Sequence, residues 1–284
     1  MGSALALLSA ALFAVAAIIV RRGMRGSTAI TATLISIVTN LVALWVLAAL
    51  SGGIGLLTLP AVAMLLAAGL FAPALARFTY YEAMNRIGVA RASTISNTTP
   101  IFAAVLAVPV LGEHVSWPLA VGTVLVVLGL ALTILPDEGT QTGRSWTGTL
   151  LALNTAVMAS ISFMLRKLGL RMLPDAAVAA ALTVTGSLLL LLPYAALRSR
   201  TQPLRAERPA LVLLIVSAVF TTGGFLAYFY ALSLSDVVRV TPLSNTTPLF
   251  ALLLLALFRQ EPVRPGTVAG AVLAVAGILF VVSG

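Results

Sequence analysis

The 284-residue chain is 60% hydrophobic and 9% charged, with mean hydropathy +1.10, formal net charge +9 and no cysteine. A soluble domain carries roughly a quarter charged residues, so a water-soluble globule is excluded, and the missing cysteine removes any disulfide framework or thiolate metal site. Sixteen of the 17 cations are arginines set in short gaps between apolar runs, the pattern by which membrane proteins fix their topology and not the basic face of a nucleic-acid binder.

Ten apolar spans are predicted, at 4–20, 29–50, 60–82, 89–111, 116–135, 147–165, 176–197, 209–232, 238–258 and 264–283. Each is about as long as one bilayer crossing requires. The first, Ala4–Val20, runs into arginines and not into a small-residue cleavage site, and reads as a retained helix. The polar stretch 136–146 divides the chain into a first half, 1–135, and a second half, 147–284, of five spans each.

The halves are related. Residues 77–135 align on 225–283 without gaps at an offset of 148, with 19 of 59 positions identical. The identities include Tyr80/Tyr228, Arg91/Arg239, Asn97/Asn245, Pro100/Pro248, Glu113/Glu261, Gly122/Gly270 and Gly129/Gly277. Apolar composition produces chance matches, but not a shared Ser-Asn-Thr-Thr-Pro at 96–100 and 244–248. Five is odd, so the second copy enters the membrane from the opposite side. The predicted fold is an all-α integral membrane protein whose ten transmembrane helices form two inverted five-helix repeats, an architecture of secondary transporters.

Pro100 and Pro248 fall near mid-span. Proline has no N–H, so the carbonyls of Ser96 and Ser244 lose their helical partners, at a cost of several kcal/mol in lipid unless other groups satisfy them. Asn97, Thr98 and Thr99, with Asn245, Thr246 and Thr247, place amides and hydroxyls at that depth. Two readings stand: the hydroxyls serve their own helix, or the paired clusters line a polar cavity for a solute. Tyr80, Tyr81, Tyr228 and Tyr230 end the third and eighth spans, as an interfacial belt or as cavity wall. Spans 5 and 10 carry glycines suited to close helix packing and belong at the periphery.

Glu82 lies four residues before Arg86, spaced for an ion pair, although an ionisable residue in a span also marks gating or proton pathways. Arg91 and Arg239 open spans 4 and 9, and Glu113 and Glu261 follow them; recurrence in both halves points to a shared gate or loop contact. No catalytic, nucleotide or dinucleotide motif is present. The expectation is therefore a non-enzymatic protein with no cofactor and no metal, whose energy comes from solute or ion gradients. Counting loop cations puts Arg166, Lys167, Arg171 and Arg239 on the N-terminal side and twelve arginines on the other, which makes the latter side cytoplasmic.

Ten spans in two repeats, with "YYEAM" (80–84), "TTP" (98–100) and "GE" (112–113) answered by "YFYAL" (228–232), "TTP" (246–248) and "QE" (260–261), resemble the EamA-type transporters of the drug/metabolite transporter superfamily. Glu82 and Gln260 depart from that pattern. The resemblance covers nearly the whole chain. It implies a monomeric helical basket in the inner membrane of a bacterium, surrounded by lipid, that exports amino acids or similar small polar metabolites by alternating access. It also implies cytoplasmic termini, against the arginine count. With every cation read as lying at or near a span end, phosphorylated solutes are disfavoured.

Overall fold

The computed structural model describes residues 1–133, 145–199, 205–257 and 265–284. Glu261 and most of the dividing stretch 136–146 lie outside the described residues. The elements are α1 (Gly2–Gly23), α2 (Ala29–Ser51), α3 (Leu59–Gly69), a π-helical turn (Leu70–Leu75), α4 (Ala76–Ile87), α5 (Val89–Ser96), α6 (Thr99–Leu111) and α7 (Trp117–Thr133). After the divide come α8 (Trp146–Met172), α9 (Ala176–Ser199), α10 (Arg208–Leu234), α11 (Val237–Ser244), α12 (Thr247–Leu257) and α13 (Pro265–Ser283). Among the described residues nine helical stretches are long and apolar enough to cross a membrane, and α7, with 17 residues, is the shorter tenth. The protein is an all-α membrane protein of two five-span repeats.

Helix ends follow local chemistry. Thr28 Oγ1 accepts the Thr31 N–H at the start of α2, and Asp175 Oδ1 accepts the Val178 N–H at the start of α9; such caps contribute about 1 kcal/mol each. Gly52 and Gly112 close α2 and α6 in the left-handed region, with φ 75° and 68°, where a side chain is disfavoured.

Two compact units emerge, and neither is a sequence half. One comprises Met1–Leu70 and Leu165–Leu234, the other Phe71–Met164 and Ser235–Gly284. In the first unit α1 packs along α10, and α9 packs on α2 and α3. Phe13 meets Phe225 edge to face at 5.4 Å. Asn40 Oδ1 accepts the Thr222 hydroxyl at 2.9 Å, and Trp45 Nε1 donates to Thr185 Oγ1 at 3.0 Å, so Asn40 joins α2 to α10 and Thr185 joins α9 to α2. A Cβ on Gly69 would collide with the Thr183 carbonyl oxygen, and one on Gly186 with that of Leu66. The α3 and α9 backbones therefore touch.

In the second unit α7 and α13 pack together along their glycines. A Cβ on Gly122 or on Gly277 would lie 2.7 Å from the other's carbonyl oxygen, and Gly129 and Gly270 are related in the same way. The aligned glycines of spans 5 and 10 thus face one another, with the backbone proximity that small residues permit in membranes.

One expected span is not continuous. Span 3, predicted as an unbroken 60–82, is interrupted at 70–75, where Ala72 adopts φ −147°, ψ 131° before Pro73. The freed Ala72 carbonyl accepts the buried Ser162 hydroxyl at 3.1 Å, which answers the demand that backbone groups at this depth be satisfied.

Candidate functional site

Both Ser-Asn-Thr-Thr-Pro copies break their spans, and they do so alike. α5 ends at Ser96 and α6 begins at Thr99; α11 ends at Ser244 and α12 begins at Thr247. Asn97 (φ −68°, ψ −3°) and Asn245 (φ −75°, ψ −1°) take the same tight turn. Each proline thereby becomes the second residue of a new helix, where its missing N–H leaves no bond unmade.

The threonines resolve the freed carbonyls. Thr99 Oγ1 donates to Ser96 O at 2.6 Å and Thr247 Oγ1 to Ser244 O at 3.2 Å, the two acceptors that proline strands. Thr98 Oγ1 donates to Ile95 O and Thr246 Oγ1 to Leu243 O, both at 2.6 Å. Thr99 and Thr246 are buried. Hydroxyl protons of all four threonines are therefore committed to their own backbone. The asparagines differ: Asn97 makes no side-chain hydrogen bond to a described residue, and Asn245 Nδ2 and Ser244 Oγ are buried without a partner among the described residues. An unpartnered buried amide costs about 1–3 kcal/mol, which a hydrogen-bonding solute would relieve.

Both breaks belong to the same compact unit, and Glu113 fixes their relation. Its buried carboxylate accepts the Val237 N–H through Oε1 at 2.9 Å and the Val238 N–H through Oε2 at 3.0 Å. The residue just past the end of α6 thus caps the start of α11, and the two helices pack antiparallel. From this level α6 rises about 20 Å to Thr99 and α11 about 12 Å to Ser244, at 1.5 Å per residue. The two breaks thus stand about 8 Å apart in distance along their helices from the cap.

The tyrosines do not share one environment. Tyr80 hydrogen-bonds Ser93 and packs on Ala83, Ile87, Ala92 and Ala152, beside Tyr81 at 6.2 Å between rings. Tyr81 and Tyr230 are about half exposed. Tyr228 is buried in the other unit, with the Arg166 guanidinium 5.5 Å from its ring centroid and 5.6 Å from that of Phe229. Such geometry is cation–π contact. Beside it, Lys167 Nζ donates to the Leu232 carbonyl at 2.7 Å near the C-terminal end of α10, where a cation offsets the helix dipole.

The structure extends α8 beyond the predicted end of span 6. α8 continues to Met172, seven residues past the predicted end, and Arg166 and Lys167 are buried within it. They lie within α8 and not in a loop, as does Arg171 in its last turn. The signal in the sequence was the spacing of Leu165, Leu168 and Met172, at i, i+3 and i+7, which continues the helical pattern through the charged pair.

Arg86 Nε donates to Glu82 Oε1 at 2.8 Å, with the side chains 44% and 47% exposed. An exposed pair of this kind contributes about 0–1 kcal/mol. Arg91 is exposed and Arg239 partly buried, opening α5 and α11 respectively. We expect Glu82→Gln to leave the pH profile of transport unchanged, because the carboxylate is engaged by Arg86; a profile displaced by a pH unit or more in reconstituted vesicles would make Glu82 a proton site instead.

Two five-span repeats, each broken at its Ser-Asn-Thr-Thr-Pro, form a membrane protein of the inverted-repeat class. The chain belongs to the EamA-like transporter family, whose model matches residues 1–135 and again 146–283. It is accordingly a transporter of the drug/metabolite type. A solved crystal structure superposes with a TM-score of 0.80 over 98% of this chain and 95% of the other at 17% identity, a likeness of fold. No curated protein matches the chain in sequence.

Proposed function

We propose that the protein is a secondary transporter of small polar metabolites, amino acids first among them, which it exports across a bacterial inner membrane as a monomer by alternating access. The observation that carries this reading is the pair of like asparagine turns at Asn97 and Asn245 in one unit, with Asn245 Nδ2 buried and unpartnered among the described residues. An amide offers two donors and one acceptor without net charge. Two such groups suit a zwitterion, whose carboxylate accepts from the amide N–H groups and whose ammonium donates to the amide oxygens. Tyr80, Tyr81, Tyr228 and Tyr230 supply aromatic surface in this reading, and Arg91, Arg239, Glu113 and Glu261 are its gating candidates.

The test is flux in proteoliposomes with a panel of radiolabelled amino acids, with and without a pH gradient. Asn97→Ala together with Asn245→Ala is expected to lower saturable flux by about tenfold or more, the loss of one or two hydrogen bonds to a charged solute. Unchanged flux in folded double variant would sink the asparagine site. An absence of amino-acid flux with wild-type protein would redirect the reading to nucleosides, neutral sugars, drugs or lipid.

A further inference from the structure

At one end of the first compact unit, two loops far apart in sequence are tied into a single ridge. The first follows α1: Arg21 and Arg22 end that helix, and Arg25 sits in the 3-10 turn Met24–Gly26. The second leads into α10 and carries Arg205 and Arg208. Ser27 and Ala206 form an antiparallel bridge. Glu207 N–H donates to Gly26 O at 2.9 Å, Thr28 N–H to Arg205 O at 3.3 Å, and Arg205 N–H to Thr31 Oγ1 at 3.1 Å. A Cβ on Gly26 would stand 3.0 Å from Glu207 Oε2 and 3.2 Å from the Ala210 Cβ, so the loops are in close contact.

Backbone bonds therefore hold together the two segments that carry the five arginines. All five arginine side chains are exposed, and Glu207 is the acid set among them. Here α1 ends while α2 and α10 begin, so helix dipoles of both signs meet, and the arginines set the sign of the field. The ridge borders apolar surface: Met24 is 44% exposed, and Leu211 and Val212, one turn into α10, are 39% and 60% exposed. Cationic forks at the headgroup level above exposed aliphatic side chains match an amphiphile bearing a phosphate.

We propose that this ridge is a binding site for an anionic phospholipid, with the phosphodiester held by arginines of both loops and the acyl chains lying along Met24, Leu211 and Val212. A guanidinium engages a phosphate through paired N–H donors, and clustered cations beside a span favour anionic headgroups. A free phosphate would use the arginines alone. A lipid uses the apolar flank as well, and that continuity decides for the lipid. The inference is independent of the transported solute.

The experiment uses full-length protein in a neutral detergent, titrated with phosphatidylglycerol, with phosphatidylcholine of the same acyl chains, and with inorganic phosphate. Bound lipid is read by native mass spectrometry and stability by the thermal midpoint. Wild type is expected to retain phosphatidylglycerol and gain several degrees over phosphatidylcholine. The five-fold variant R21Q/R22Q/R25Q/R205Q/R208Q is expected to bind it about tenfold or more weakly. If that variant does not fold, Arg25→Gln with Arg205→Gln, one from each loop, is read in the same way and is expected to lose severalfold. Equal responses to the two lipids, a preference retained in the charge-neutralised protein, or a shift reproduced by inorganic phosphate alone would each overturn the proposal.

Discussion

Glu113→Ala is expected to destabilise the protein by about 2–5 kcal/mol, read as a lower midpoint of unfolding in a detergent titration and reduced yield of monodisperse protein. The carboxylate is buried and accepts two N–H groups at the start of α11, one on each oxygen. Truncation leaves both donors unpaired, at about 1–3 kcal/mol each, and removes the negative charge that favours a helix N-terminus. Glu113→Gln separates these effects. It keeps the shape and one acceptor but turns an NH2 toward an N–H donor, so it is expected to fall between wild type and alanine. If alanine costs under 1 kcal/mol, water replaces the carboxylate and the cap is not what holds α6 to α11. Because the same contact ties the end of α6 to the start of α11, a folded Glu113→Gln protein should also transport more slowly.

The second large effect is expected at Gly186. A Cβ there would overlap the Leu66 carbonyl oxygen, while across the contact a Cβ on Gly69 would overlap Thr183 O. The obstacles are main-chain atoms and cannot rotate away, so α3 and α9 must separate. Gly186→Leu should cost about 3 kcal/mol or more, at the upper end for overpacking. The measurement is the fraction of folded protein across a sodium dodecyl sulfate titration. Gly266, whose Cβ would meet nothing within 4 Å, provides a leucine control expected to change little. Equal behaviour of the two variants would show that α3 and α9 part without cost.

The sequence was informative where a local rule had one outcome. The repeated Ser-Asn-Thr-Thr-Pro predicted two breaks because proline strands a known carbonyl, and the breaks occur there, with Thr99 and Thr247 on Ser96 and Ser244. Proline alone was no guide. Pro109, Pro193 and Pro242 sit within helices that continue through them. Pro73 disrupts span 3 just before the aligned stretch begins, and the residue at the same offset in the second half, Thr221, lies inside an unbroken α10. The satisfying group at Pro73 is Ser162, 90 residues away, which no local pattern displays. The recurrence of Glu113 in register with Glu261 marked it as structural, but its acceptance of the Val237 and Val238 amides depends on tertiary contact. Arg166 and Lys167 were misplaced because charge was read as a helix stop, whereas long cationic side chains can remain in an apolar span when a ring face or a carbonyl receives them.

The two compact units described above each combine a piece of the first half with a piece of the second. α8 starts in one and finishes in the other, with the crossing at Met164–Leu165. Neither half of the sequence therefore encloses a complete core. A duplicated gene of this design is an intertwined dimer written as one polypeptide: each copy contributes the surfaces its sister must bury, and neither is a self-sufficient folding module. Substitutions in one copy are thus constrained by partners encoded in the other. The copies can diverge at Pro73 against Thr221, or at Glu82 against Tyr230, only where the intertwining tolerates it.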